Sequence, residues 1–267
     1  MPKVVLITGT SSGIGKVTAE LLAKNEYKVY GTSRNPEQKE VNKVRFLKLD
    51  LNTPKSIHAA VEELIALEGK IDILINNAGV GITGPVEETP MEGVKAHFQT
   101  NFFGVVELTQ TVLPYMHQQE SGCIINITSI AGYMGLPFRG YYSASKAALI
   151  TLTEALRLEL KSTPIQVFSV APGDIATNIA SGRFTVEPNT KSAYFKSYQH
   201  SLHLMNTHVD KGESPDLIAH KILNLLQLKK PKVHYKVGNT LQKFSVFLKG
   251  VLPNKVFEKM LAKHYKL

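Results

Sequence analysis

The sequence predicts one α/β domain over residues 1–267. We expect a doubly wound parallel sheet of about seven strands, helices on both of its faces, and a helical C-terminal extension. Three observations point there. Short β-branched runs alternate with longer stretches in which apolar residues recur every three or four positions. The short runs lack the in–out alternation of a half-solvated strand, so both of their faces are buried, as in a parallel sheet. No linker, fixed-period repeat or low-complexity tract divides the 267 residues.

The elements follow in order. KVVLIT (3–8), YKVYGTS (27–33), VRFLKLD (44–50), DILINNAG (72–79), CIINITS (123–129) and IQVFSVAPG (165–173) read as strands, and KVHYKVG (232–238) as a candidate seventh. Between them KVTAELLAKN, SIHAAVEELIAL, residues 92–117 and SASKAALITLTEALRLEL carry helical periodicity. Residues 174–213 form a long polar stretch dotted with Phe184, Tyr194, Phe195, Tyr198 and Met205. The helix after it starts at Ser214-Pro215-Asp216, an N-cap, a proline and an acid.

Composition narrows the class. With 43% hydrophobic and 20% charged residues the chain has soluble globular character. A lone cysteine, Cys123, rules out an internal disulfide framework, fits a reducing compartment, and in CIINIT reads as a small buried hydrophobe. A first strand starting at residue 3 leaves no room for a signal peptide, and no apolar run approaches the ~18 residues of a membrane span, so a cytoplasmic protein is expected. Net charge is +9, and all of it lies in residues 229–267, with ten lysines against Glu258. The other 228 residues hold 21 basic and 21 acidic groups. Lysines confined to one segment, with no interleaved aromatic platform, argue against nucleic acid.

In a doubly wound sheet, ligands bind at the carboxyl ends of the strands. There TGTSSGIG (8–15) joins the first strand to the first helix. Gly9, Gly13 and Gly15 let the backbone approach a pyrophosphate at the helix N-terminus, with Thr10, Ser11, Ser12 and Ile14 between them. The second strand ends in GTSRN, with Ser33 and Arg34 and no acid. A guanidinium binds a 2′-phosphate that a carboxylate would repel, so NADP is the expected cofactor, with NAD as the alternative.

YYSASK (141–146) sets Tyr142 and Lys146 four residues apart, on one helix face, with Tyr141 pointing elsewhere. A phenol of pKa ~10 is a poor acid–base at neutral pH, and a neighbouring ammonium favours the phenolate. Ser129, thirteen residues before Tyr142, ends a strand, so both hydroxyls can reach one carbonyl oxygen.

Together TGTSSGIG, NNAG (76–79), Asn101 in NFFG, Ser129 in NITS, Tyr142-x-x-x-Lys146 and PGDIAT (172–177) resemble the short-chain dehydrogenase/reductases, in order from residue 3 to about 177. The resemblance implies a Rossmann fold and an oxidoreductase interconverting a ketone or aldehyde and an alcohol. Its catalytic set would be Tyr142, Lys146, Ser129 and Asn101. Lys146 would also bind the ribose, and Asn101 would hold a water linking Lys146 to solvent. Asp50 and Leu51 would lie beside the adenine, and Asn76, Asn77, Ala78 and Gly79 on the adenosine side. Pro172, Gly173, Ile175 and Thr177 would surround the nicotinamide amide, and 174–213 would be the substrate lid. Ser12 stands where some NADP-preferring members carry a second base.

The resemblance does not name a substrate. The C-terminal part is similar to members acting on steroids, retinoids or lipid ketones, so a lipophilic carbonyl is expected. A small dicarbonyl is the alternative, and so is a non-catalytic dinucleotide sensor, though sensors usually lose the tyrosine or the lysine. A homodimer or homotetramer is expected through the helices carrying Phe102, Phe103 and Val106, and Leu149, Leu152 and Leu156. No metal is expected at His200, His203 and His208, which lack a cysteine or an ordered acid.

Residues 240–267 read as two helices broken at Pro253. Leu241, Phe244, Leu248 and Val251 share one stripe, and Val256, Phe257, Met260 and Leu261 another, with lysines elsewhere. Two readings stand: the stripes pack on the protein, or they lie against a membrane in weak peripheral contact.

Overall fold

A computed structural model describes residues 1–177, 182–210 and 212–267, without the side chains of 208–210. Ten strands are present among the described residues: β1 (Val4–Ile7), β2 (Lys28–Ser33), β3 (Glu40–Val41), β4 (Val44–Lys48), β5 (Ile73–Asn76), β6 (Ile82–Thr83), β7 (Gly122–Ile127), β8 (Ile165–Pro172), β9 (Phe184–Thr185) and β10 (His234–Val237). Eight of them form one sheet in the order β10-β8-β7-β5-β1-β2-β4-β3. Every pair in it is parallel except β3 with β4. The seven expected strands are therefore all there. The additional β3 is two exposed residues long, too short to leave a periodic signal.

The helices are α1 (Gly13–Lys24), α2 (Pro54–Glu68), α3 (Met91–Phe98), α4 (Gly104–Gln118), α5 (Gly140–Glu159), α6 (Phe195–Asp210), α7 (Pro215–Leu225), α8 (Thr240–Val251) and α9 (Asn254–Tyr265). One sheet face packs on α2, α4 and α5 through Ile57, Leu64, Leu108, Val112 and Leu149, and the other on α1 and α7 through Leu22, Ile218 and Ile222. Buried on both sides, β1 is apolar throughout and β5 is apolar up to its last residue, Asn76. A chain of buried amides crosses the first face: Asn76 Nδ2 donates to Asn126 Oδ1 at 2.9 Å, and Asn126 Nδ2 to Thr153 Oγ1 at 2.9 Å.

Three expectations need correction. Leu149 belongs to the core, 1% exposed, and is not part of an intersubunit face. The helix expected over 92–117 is not uniform: a π-helical turn, Gln99–Phe103, separates α3 from α4. The tail helices divide each expected stripe. Val246 and Phe257 are buried against Ile130 and Met134, with Leu248 and Leu261 partly buried beside them, while Leu241, Phe244, Val251, Val256 and Met260 are exposed.

The stretch expected to be a lid, 174–213, is tied down where it is described. Its β9 pairs with β6, and the Tyr198 hydroxyl donates to Val186 O at 2.6 Å beside the Phe138 ring, centroids 5.2 Å apart. Ser214 caps α7 as expected, its hydroxyl accepting from Asp216 N–H at 3.2 Å. Cys123 packs against the second core layer, and burial pushes its thiol up to about 12.

Candidate active site

The chain leaves β1 for β2 and β4 on one side, then crosses to β5, β7, β8 and β10 on the other. At that switch point, beyond the strand ends, lies a cleft of about 1000 Å³. The glycine-rich turn forms one wall. Gly9 and Gly13 take φ of 70° and 57°, which side chains disfavour. A Cβ on Gly15 would fall 2.2 Å from Gly9 O, so only hydrogen fits where α1 crosses the turn. Ser12 caps α1 without a side-chain hydrogen bond, leaving first-turn amides for an anion.

Thr8, absent from the expected set, pins this turn to the next motif. Its hydroxyl accepts from Asn77 N and Ala78 N, both at 2.9 Å, while Asn77 Nδ2 donates to Thr8 O at 2.9 Å and Gly9 O at 3.1 Å.

Of the residues expected to bind cofactor, Gly9, Ser11, Ser12, Gly13, Ile14, Ser33, Arg34, Asp50, Leu51, Asn77, Ala78, Gly79, Tyr142, Lys146, Pro172, Gly173, Ile175 and Thr177 all line the cleft. Thr10, Gly15 and Asn76 stand behind the wall: Thr10 donates to Thr32 O at 3.3 Å, and Asn76 serves the buried amide chain. Asp50 caps no helix. Its carboxylate accepts from Asn52 N at 3.0 Å, in a turn ahead of α2. Arg34 is exposed at the rim, and GTSRN offers no carboxylate beside it. The open glycine turn and the uncapped α1 terminus fit the pyrophosphate of a nicotinamide dinucleotide.

The reacting end is built by β7, α5 and the π turn. Tyr142 and Ser129 line the cleft, whereas the Tyr141 hydroxyl donates away from it, to Val86 O at 3.1 Å. Burial pushes the Tyr142 phenol above its ordinary pKa, and Asp174 adds to this; Arg139 and the Ser129 hydroxyl draw it partly back. Arg139 stands beside the phenol as well, its guanidinium 5.4 Å from the ring centroid. Lys146 Nζ donates to Ile127 O at 3.0 Å, and burial lowers its pKa to about 8.

Asn101 sits on the π turn, 1% exposed. Its Oδ1 accepts from Val80 N at 2.8 Å and its Nδ2 donates to Val80 O at 2.9 Å, which fixes the amide's orientation. A Cβ on Gly79 would lie 3.3 Å from Asn101 Oδ1 and 3.4 Å from Lys146 Nζ, so both groups converge on the space that glycine leaves open.

The same Asn101 Nδ2 lies 3.2 Å from Nε2 of His97. The amide aims an N–H at Nε2, which suits a neutral imidazole, and Nδ1 is buried with no hydrogen-bond partner among the described residues. Burial, with the charge of Lys146 behind it, lowers the His97 pKa to about 4. Position was the available signal for both His97 and Arg139: His97 precedes Asn101 by four residues, and Arg139 precedes Tyr142 by three.

The C-terminal segment completes the cleft. Gln242 of α8 grips the turn after β8: its Oε1 accepts from Asp174 N at 3.4 Å and its Nε2 donates to Asp174 Oδ2 at 2.6 Å. Leu241, Phe244, Leu248, Phe257, Met260 and Leu261 form an apolar wall continuous with the Tyr142 end. Among the described residues no cluster of histidine, cysteine and acidic side chains could hold a metal; the side chain of His208 lies outside them.

A family model described as short chain dehydrogenase matches residues 3–187, and the chain belongs to that family of oxidoreductases, which act on alcohol and carbonyl groups with a nicotinamide dinucleotide. Over 267 residues, all of this chain and 99% of the relative, it is 40% identical to a 3-ketodihydrosphingosine reductase of Bacteroides thetaiotaomicron. A short-chain dehydrogenase from Streptomyces avermitilis superposes with a TM-score of 0.84 at 28% identity, covering 99% of this chain and 97% of that one. ElxO, solved with NADP bound, superposes with a TM-score of 0.73 at 27% identity, covering 89% and 97%.

Proposed function

We propose that the protein is an NADPH-dependent reductase of a lipophilic, long-chain carbonyl. The observation that carries this reading is the apolar wall of α8 and α9, which extends the cleft beyond Tyr142 well past the size of a small dicarbonyl. A lipid ketone of the kind named for the Bacteroides relative, 3-ketodihydrosphingosine, fits such a wall.

The bound nicotinamide supplies the hydride; the protein supplies the proton and the orientation. Tyr142, with its pKa raised, is protonated at neutral pH and donates to the developing alkoxide. Ser129 stabilises the same oxygen with a second hydroxyl. Lys146 holds the ribose and, through Asn101 and a water, takes up protons from solvent to restore Tyr142. Arg34 receives the 2′-phosphate, which favours NADPH over NADH.

The protein works in the cytoplasm as a homo-oligomer, with peripheral lipid contact through 240–267. The pairing face is Phe102, Phe103, Val106, Leu152 and Leu156; Phe103 is 54% exposed on its outside. Light scattering at micromolar protein should give a dimer or tetramer mass, and a monomer mass contradicts the face.

The substrate reading is tested by NADPH oxidation across 3-ketodihydrosphingosine, other long-chain ketones, steroids, retinal and short diketones. Long-chain ketones should give the highest kcat/KM, by at least about tenfold over short diketones, since each buried methylene adds ~0.8 kcal/mol. The reverse order overturns the lipophilic reading.

A further inference from the structure

Three side chains of the tail, Leu241, Phe244 and Met260, line the cleft and yet are 76%, 48% and 46% exposed. They stand at its mouth. The apolar surface continues outward from them through Phe247, stacked on Phe244 with centroids 5.9 Å apart, and through Val251 and Val256, all exposed. Lys243, Lys255, Lys259 and Lys263 are exposed on the same two helices, with Glu258 as their one acid, and none of these lysines is in an ion pair among the described residues. The opposite side of the helix pair is occupied: Val246 and Phe257 pack on Ile130 and Met134 beside the catalytic Ser129. The orientation of the exposed side is therefore fixed relative to the active site.

We propose that the mouth of the cleft is a docking face for an anionic lipid surface, seated so that a lipid carbonyl passes from the bilayer to Tyr142 without crossing water. The proposal rests on the lipophilic-substrate reading and adds the place and direction of entry. Charge decides the occupant. The segment from 229 to 267 carries all of the chain's net +9, so two copies meeting on this face would bring like charges together, whereas an anionic bilayer complements them. An apolar stripe flanked by lysines is the composition of a helix lying in a bilayer interface. No helix among the described residues is long and apolar enough to cross a membrane, so the contact is a surface one.

Co-sedimentation of the full chain, without substrate, tests this with vesicles of phosphatidylcholine alone and of phosphatidylcholine mixed with phosphatidylglycerol, at low and high salt. The protein should pellet with the anionic vesicles at low salt, bind the neutral ones weakly, and be released by salt. Phe247→Asp and Val256→Asp, outside the cleft, should weaken anionic-vesicle binding by about tenfold or more while leaving NADPH-dependent reduction of a short soluble carbonyl unchanged. Lys255→Gln with Lys259→Gln should flatten the salt dependence and provides a second variant should an aspartate disturb folding. Wild-type protein staying in the supernatant with anionic vesicles at low salt overturns the proposal. So does a Phe247→Asp variant that binds vesicles normally but has a smaller mass by light scattering, which would assign the face to a second copy. Because no substrate is present, either failure leaves the substrate reading standing, and a failed long-chain panel leaves the vesicle result standing.

Discussion

His97 Nε2 accepts a hydrogen bond from Asn101 Nδ2 across 3.2 Å, one helical turn away, and Val80 fixes the direction of that bond by holding the other two polar positions of the Asn101 amide. A protonated imidazole would set N–H against N–H there. Ser145 Oγ lies 3.0 Å from the same Nε2 and 2.8 Å from Tyr142 O, and so connects the pair to the first turn of α5.

Replacing His97 separates positioning from packing. His97→Phe removes the acceptor and should lower kcat about tenfold with little change in NADPH Kd, whereas His97→Gln, which keeps an acceptor, should recover most of it. The folded pKa, about 4, lies below the unfolded value of ~6.5, so the unfolded chain binds more protons between them. Stability from this group is complete above pH 6.5 and is lost as pH falls toward 4, by about 3 kcal/mol in all. Urea midpoints at pH 7 and pH 5 should converge more closely in His97→Gln than in the wild type. Equal pH dependence in both contradicts the neutral, buried assignment.

Lys146 predicts how cofactor affinity varies with pH. Its pKa in the empty site is about 8, lowered by burial. A bound dinucleotide, anionic and accepting hydrogen bonds, favours the ammonium and raises that pKa. NADPH affinity should therefore be level below pH 8 and fall above it, by at most about tenfold per pH unit. Fluorescence titration checks this, and Lys146→Met should remove the slope.

The proposed function assigns the cofactor preference to Arg34. Arg34→Asp places a carboxylate where the 2′-phosphate is expected, and should weaken NADPH about a hundredfold while NADH changes little or tightens. Equal wild-type affinities for the two cofactors would remove the role assigned to this guanidinium.

The seven long strands, the glycine turn and the Tyr142–Lys146 face were legible in the sequence because each depends on local spacing. KVHYKVG was readable as β10 although its ladder partner, β8, lies more than 60 residues earlier. What stayed hidden depends on tertiary contact. The π turn at Gln99–Phe103 leaves the apolar period almost unchanged, so Asn101's setting could not be read, nor could its contact with His97. The hydrogen bond from Lys146 to Ile127 O and the placement of Arg139 over the Tyr142 ring also depend on contacts that helix spacing does not show. In the tail, a helix between protein and an apolar cleft has two apolar sides. Periodicity found the stripe of Leu241, Phe244 and Val251 and could not tell that the packing side is centred on Val246.

The central claim is that Tyr142 delivers the proton in an NADPH-dependent carbonyl reduction. Its most direct test is kcat for Tyr142→Phe and Tyr141→Phe on the best long-chain ketone, with NADPH Kd measured alongside. The account predicts a loss of about 10²–10⁴ in kcat for Tyr142→Phe with NADPH still bound, and near wild-type turnover for Tyr141→Phe, whose hydroxyl serves Val86 O. Comparable losses in the two variants, or turnover retained in Tyr142→Phe, would contradict it.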